Sequence, residues 1–255
     1  IANNSTHGIH FNSLSTLSVN NSIIHGHEKS IYGSSPSPGT GNFNYSIIQG
    51  GSDNIDLTSL LGGYNLTFNE ILDVDPYFVN TSTGDYSLLN YSPAIGAGTS
   101  TGAPSTDIDG KTRGTNPDMG AYENDLGTRT LEVTNVTSTT DNGTYKIGDV
   151  IAITVTLSEA VTVTETPQLT LETGTTDAAV DYSSGTGGTT LTFNYTVASG
   201  HTSSDLDYKS TTALELNSGT IKNSAGTAAT LTLPTPGAAG SLGANKALVV
   251  DGVVP

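Results

Sequence analysis

With 255 residues, the chain is long enough for two domains of ordinary size or one long β domain. Hydrophobic residues make up 34 % and charged residues only 13 %, both below the usual share, and Thr, Ser, Gly and Asn fill the gap. The formal net charge of −16, from 8 basic and 24 acidic residues, excludes nucleic acid as a partner, because phosphate binding needs Lys and Arg to neutralise it.

Thr, Ser and Asn compete for backbone hydrogen bonds in a helix, and Gly adds entropy cost there, so the composition predicts an all-β fold. Disorder is the other reading of such a chain. It is set aside because Val150–Leu157 and Leu191–Val197 alternate β-branched or aromatic residues with Thr. No stretch is apolar and long enough for a membrane span. There is no Cys, which fits a prokaryotic exported or surface protein better than a disulfide-stapled eukaryotic one. Ile1 opens in polar sequence without a signal peptide, so the expectation is a piece of a longer chain. Asn44, Asn65, Asn135 and Asn194 fall in glycosylation sequons, which an Asn/Thr-rich chain acquires by chance.

The first half carries short apolar runs between Asn and Gly turns. The cadence Asn20-Asn21-Ser22-Ile23-Ile24-His25-Gly26 returns as Asn44-Tyr45-Ser46-Ile47-Ile48-Gln49-Gly50. A period of about two dozen residues signals stacked solenoid coils, with Asn at corners that need unusual backbone angles. Two ordinary strands of a sandwich would also account for it. His7, His10, His25 and His27 cluster here; they read either as solvent-facing side chains or as a transition-metal or acid/base group.

Next come Asp75-Pro76-Tyr77-Phe78-Val79-Asn80, Gly84-Asp85-Tyr86-Ser87-Leu88 and Ser92-Pro93-Ala94-Ile95-Gly96-Ala97-Gly98. Asp107-Ile108-Asp109-Gly110-Lys111-Thr112-Arg113 and Asp118-Met119-Gly120-Ala121-Tyr122-Glu123 follow. This ordered set resembles the C-terminal end of bacterial right-handed parallel β-helix proteins of the choice-of-anchor and polysaccharide-lyase-like type. The match spans Leu14–Glu123. One departure is Gly96, where that family usually has Asp. The resemblance implies the last rungs and cap of a β-helix over residues 1–124. Pro76, Pro93 and Pro117 are expected to interrupt strand pairing, and Tyr77, Phe78, Tyr86 and Tyr122 to cover an exposed apolar rung. Asp107-Ile108-Asp109-Gly110 mimics the opening of an EF-hand loop, but no Glu follows at the required distance, and we read it as a turn.

The sequence changes character at Asn124-Asp125-Leu126-Gly127, where a linker is expected. Beyond it, candidate strands are Leu131–Thr137, Val150–Leu157, Gln168–Glu172, Ala179–Tyr182, Thr190–Val197, Ala213–Leu216, Thr220–Lys222, Thr230–Leu233 and Ala247–Val250. Turn signals at Asp141-Asn142-Gly143, Thr186-Gly187-Gly188 and Asn217-Ser218-Gly219 separate them. Short strands at this spacing argue for an immunoglobulin-like antiparallel β-sandwich over residues 125–255.

Tyr145-Lys146-Ile147-Gly148-Asp149-Val150, Leu157-Ser158-Glu159-Ala160-Val161, Ser204-Asp205-Leu206-Asp207-Tyr208 and Val250-Asp251-Gly252-Val253-Val254-Pro255 look like the tandem bacterial Ig-like (cadherin-like) repeats of large surface adhesins. The resemblance makes Pro255 a repeat boundary, with neighbouring repeats of the same parent protein as partners. Asn223-Ser224-Ala225-Gly226-Thr227 stands where that family often has an acidic residue.

Hard cations take several oxygen ligands. The expected calcium ligands are Asp149, Glu159, Asp205, Asp207 and Asp251. The competing reading is that these carboxylates cap turns. No nucleophile elbow, phosphate loop or dinucleotide fingerprint occurs in a suitable context. The expectation is therefore a non-enzymatic structural or adhesive module of an extracellular, cell-surface protein, acting as stalk or spacer and self-associating into filaments. The other reading is the non-catalytic C-terminal part of a polysaccharide lyase or hydrolase, or a module that binds polysaccharide.

Overall fold

The computed structural model describes residues 1–3, 6–11, 16–33, 39–56 and 64–253. Leu14, where the first resemblance begins, and Val254 and Pro255, read as a repeat boundary, lie outside them. The protein is all-β; among the described residues the one α-helix is the four-residue turn Leu242–Asn245. The chain divides into two compact units, Ile1–Arg129 and Thr130–Pro255.

In the first unit, β1 (His7–Phe11), β2 (Thr16–Asn20), β3 (Ile23–Ile24), β4 (Lys29–Gly33), β5 (Gly39–Ile48), β6 (Ile55–Asp56) and β7 (Tyr64–Leu72) form two parallel sheets. One has the order β1-β4-β6; the other is β2-β5-β7, with β3 also on β5. Thr16 pairs with Thr40, Ile23 with Ile47, Ile31 with Ile55 and Phe43 with Phe68. The repeated Asn-x-Ser-Ile-Ile cadence thus marks residues that lie side by side. Its paired isoleucines divide between two cores. Val19, Ile24, Ile31, Phe43 and Ile48 fill one; Ile23 and Ile47 fill the other, with Leu72 packed against them.

Each strand bends at the same place. Asn21, Tyr45 and Glu70 occupy one column of the register and all three have positive φ, at 48°, 46° and 52°. Asn tolerates the left-handed region, whereas Tyr and Glu are strained there. The corner expected at Asn is present, but two of the three residues holding it are poor choices for the angle.

After Leu72 the chain leaves the sheets. Segment 73–124, with the hairpin β8 (Phe78–Asn80) and β9 (Asp85–Leu88), lies against the Ile23–Ile47–Leu72 row. The cover is supplied by Leu88, Ala94, Ile95 and Met119, with Phe78 and Ala97 beside them. The tyrosines expected to do this are peripheral: Tyr77 is 41 % exposed, and Tyr86 and Tyr122 are half-buried. Segment 73–124 therefore seals a flank of the stacked strands. β7 remains at the sheet's edge among the described residues, with Phe68 39 % exposed.

In the second unit, β10 (Val133–Ser138), β12 (Val150–Leu157), β14 (Gln168–Leu171), β15 (Ala178–Ser184), β16 (Thr190–Thr196) and β18 (Leu214–Glu215) form a six-stranded antiparallel sheet, ordered β10-β12-β16-β15-β14-β18. β11 (Gly143–Lys146), β17 (Thr202–Ser203) and β20 (Leu248–Asp251) form a mixed sheet in which β20 pairs with β11 in parallel and with β17 antiparallel, and β13 (Val161–Thr164) pairs with β19 (Thr220–Asn223). Alternating residues Ile151, Ile153, Val155 and Leu157 of β12 and Leu191, Phe193 and Tyr195 of β16 enter one core. Burying a side chain of this size contributes about 1.5–3 kcal/mol.

Three strands went unforeseen: β11, β13 and β17. The expected strand at Thr230–Leu233 is only an isolated bridge between Thr230 and Glu132; Pro234 and Pro236 follow it and have no N–H to extend a ladder.

Candidate functional site

The most buried charged group in the protein is assembled from the two acidic motifs of residues 107–123. Arg113 donates from Nη1 to Glu123 Oε1 and to the Asp118 carbonyl, and from Nη2 to the Gly120 carbonyl at 2.9 Å. The two ion-paired side chains are 7 % and 11 % exposed. Asp107 Oδ1 accepts the N–H groups of Asp109 and Lys111, and its Oδ2 accepts that of Glu123. Asp118 Oδ1 accepts from Gly96 N, and Oδ2 from Asn124 N. The EF-hand-like stretch is therefore a turn folded around its own first carboxylate.

Burial opposes ionisation of Asp107, but the N–H groups of Glu123, Lys111 and Asp109, with Arg113 nearby, hold its carboxyl below the usual range. Burial pushes Asp118 up, against the N–H groups of Asn124 and Gly96. Burial likewise raises Glu123. These carboxylates are spent on backbone donors of the same unit. The cluster is a knot tying Gly96, the 107–113 turn and Asn124 together.

The knot also explains two sequence features. Gly96 has φ of 63°, and a Cβ there would stand 2.9 Å from the Gly127 carbonyl, so the Asp common at this position in the resembled family does not fit. Asn124 and Asp125, expected in a linker, belong to the first unit: Asn124 bonds Asp118 and the Leu88 carbonyl, and Asp125 pairs with Lys111 at 2.9 Å.

The five expected calcium ligands are dispersed. Asp149 accepts the Lys146 N–H at 2.8 Å across a turn. Glu159 accepts from Asn223 Nδ2 at 3.0 Å. Asp207 Oδ2 takes the Gly237 N–H at 2.9 Å, while Asp205 is exposed. Asp251 ends β20, in register with Lys146 and Thr202. Asp149 and Asp251 both flank Lys146, beside a shallow cleft of about 580 Å³ lined by Lys146, Ile147, Asp251 and Val253. Among the described residues, no three His, Asp or Glu side chains gather around a common point suited to a metal ion.

The histidines divide: the rings of His7 and His10 lie 5.5 Å apart, while His25 and His27 are placed elsewhere. His7 stacks on Tyr32 at 4.5 Å and His10 meets the same ring edge-on at 4.9 Å, while His27 Nε2 contacts the Ile1 carbonyl. Gly26, at φ 80°, turns the chain between His25 and His27; the two do not share a strand face. In the second unit Tyr195 bonds His201 Nδ1 at 3.0 Å, and burial pushes its hydroxyl up to about 12.

An apolar groove of about 290 Å³ opens at the Ile23 end of the flank, between Ile1, Ile23, Phe78, Tyr86 and Tyr122. A second, of about 490 Å³, lies at the other end beside Leu72 and Glu70. Among the described residues no helix is long and apolar enough to cross a membrane. Compared with family models, curated proteins and solved structures, the chain matches none.

Proposed function

We propose that the chain is a structural, adhesive module of a large secreted bacterial surface protein. In this reading the first unit is the end of a parallel β-helix serving as a stiff stalk, and the second an immunoglobulin-like spacer that joins neighbouring repeats. The observation that carries the reading is the in-register parallel stack. Strands 24 or so residues apart align through β2, β5 and β7, which is the pairing that successive coils of a solenoid would make.

The largely antiparallel second unit, with its continuous core from β10 to β20, supports the spacer role. The use of buried carboxylates as backbone acceptors supports a scaffold over a catalyst. Single-molecule extension of the whole chain tests this. A stalk and spacer should give two separate, discrete unfolding events. Gradual extension without discrete events would overturn the mechanical reading.

A further inference from the structure

One face of the β2-β5-β7 sheet is a two-dimensional array of small, uncharged, hydrogen-bonding side chains. Thr16, Ser18 and Asn20 stand on β2; Thr40, Asn42 and Asn44 on β5; Asn65, Thr67 and Asn69 on β7. The pairing aligns them into three columns without a register shift: Thr16–Thr40–Asn65, Ser18–Asn42–Thr67 and Asn20–Asn44–Asn69. The intervening Leu17, Val19, Phe43 and Leu66 point to the core. Seven of the nine polar residues are exposed, and Asn42 and Asn44 half-buried.

Each column is tied across strands by a side-chain bond: Thr40 to Thr16 at 3.3 Å, Thr67 to Asn42 at 2.8 Å and Asn44 to Asn20 at 2.9 Å. Six of the nine side chains are therefore held in position before anything binds. That ordering removes much of the entropy cost of fixing them against a partner.

The chemistry of the face narrows the partner. In a chain of net charge −16, the nine positions hold no charge, which disfavours ionic partners. They hold no aromatic ring, which removes the stacking platform that sugar rings use. Hydroxyl and amide groups donate and accept alike, as water does. A repeat in two directions fits a partner that also repeats in two directions.

The spacings can be compared. Neighbouring strands lie ~4.8 Å apart, and alternate residues of a parallel strand ~6.6 Å. In a tetrahedral water network with O···O of ~2.75 Å, second neighbours are ~4.5 Å apart and the layer repeat is ~7.3 Å. Over three positions the two lattices drift by about 0.6 Å in one direction and about 1.4 Å in the other, which rotation among Asn and Thr side-chain rotamers spans. We propose that this face binds an ordered water lattice, the surface of ice. The inference goes beyond the stalk reading and stands without it, because it needs only the first unit's sheet.

The experiment grows ice slowly from a solution of the whole chain and measures the fraction of protein incorporated, alongside inhibition of ice recrystallisation. The chain should be enriched in ice over an inert carrier protein. Thr67→Tyr, a bulky side chain in the array, should raise the concentration needed to stop recrystallisation tenfold or more. Thr162→Tyr, at an exposed position of β13, should leave it unchanged. Circular dichroism reports whether each variant folds. If Thr67→Tyr does not, Ser18→Thr replaces it: the substitution keeps the hydroxyl and adds a methyl beside Thr16 on the same face, and activity should rise about twofold. Three results overturn the proposal. The chain could be excluded from ice like the carrier, the folded array variants could match the parent, or the face could instead retain crystalline cellulose or chitin with the same sensitivity to Thr67→Tyr.

Discussion

Arg113→Met tests whether the knot of residues 107–124 holds the first unit together. The substitution keeps the side chain's length but removes the charge opposite Glu123 and the donors to the Asp118 and Gly120 carbonyls. Breaking one side of a buried pair costs about 3–5 kcal/mol, because the remaining charge is stranded. Arg113 Nε is buried without a partner, so its loss returns part of that cost, and about 3 kcal/mol is expected. On a unit of this size that lowers the transition midpoint by roughly 10 °C. The assay is urea and thermal unfolding of the whole chain, following the first unit by tyrosine signals, with the second unit as internal reference. The loss should change little between low and high salt, since a buried pair is weakly screened. The double variant Arg113→Met with Glu123→Leu should recover a large part. A loss under about 1 kcal/mol, or one abolished by salt, would show that the pair behaves as a surface bridge and refute the argument.

Other outcomes follow from the same geometry. Glu70→Asn should stabilise the first unit by about 1 kcal/mol in a urea melt, because Asn accepts the left-handed φ that strains Glu; an unchanged midpoint would remove strain from the account of the corner. Gly252→Ala should destabilise the second unit by about 2 kcal/mol, since a Cβ would fall 2.3 Å from the Ala198 carbonyl and overpacking costs 1–3 kcal/mol or so; calorimetry decides it. In acid, Asp107 and its neighbours act in opposite senses. The folded pKa of Asp107 is depressed, so its contribution persists down to its ordinary value near 4 and fades below that. Asp118 and Glu123 are raised, so their ionisation costs stability that is regained as pH falls through their raised values toward the ordinary carboxylate values near 4. The first unit should therefore hold or gain stability as pH falls from neutrality toward about 4 and lose the contribution of Asp107 below that; a steady loss from neutrality contradicts these directions. Dispersed as they are, Asp149, Glu159, Asp205, Asp207 and Asp251 should not share one calcium ion, so melts of the second unit in calcium and in EDTA should coincide; a calcium-dependent rise in the transition would restore them as ligands.

The all-β class was legible because Thr, Ser, Gly and Asn dominate a chain with few helix formers. The strand Val150–Leu157 was read with its observed ends because its alternation is unbroken and Gly148-Asp149 turns the chain before it. The third row of the stack was not legible. Asn69-Glu70-Ile71-Leu72 puts Ile71 in the column of Ser46 and Leu72 in that of Ile47, so the Asn-x-Ser-Ile-Ile cadence is lost while the backbone repeats. Periodicity reports side chains, and here register was kept by pairing. β11 and β13 were missed for a different reason. β11 is mostly exposed, and its residues Gly143–Lys146 carry a turn signal; β13 buries one residue of four. β11 lacks the alternation that a half-buried strand shows, and β13 alternates Val with Thr over only four residues, too short a run to stand out in a Thr-rich chain. For the candidate ligands, Asp205 and Asp207 were both expected to hold calcium. Asp207 instead turns to satisfy Gly237 N, a partner 30 residues away that no local spacing announces.

The two units meet the same demand by different means. A chain with 13 % charged residues leaves Ser, Thr and Asn to satisfy much of the backbone that irregular segments leave unpaired, with few carboxylates to accept several N–H groups at once. The second unit meets part of it through ladders that pair backbone groups strand to strand, most of them antiparallel. Segment 73–124 cannot, because it must follow the flank of the parallel sheets, whose outer row Ile23–Ile47–Leu72 has a fixed direction and spacing. It therefore places its few carboxylates where several N–H groups converge, three on Asp107 and two on Asp118. Arg113 then neutralises the charge this gathers. The acidic motifs recur in order along the chain because each closes one turn of that covering segment, and their conspicuous chemistry is the chemistry of an unpaired backbone made whole.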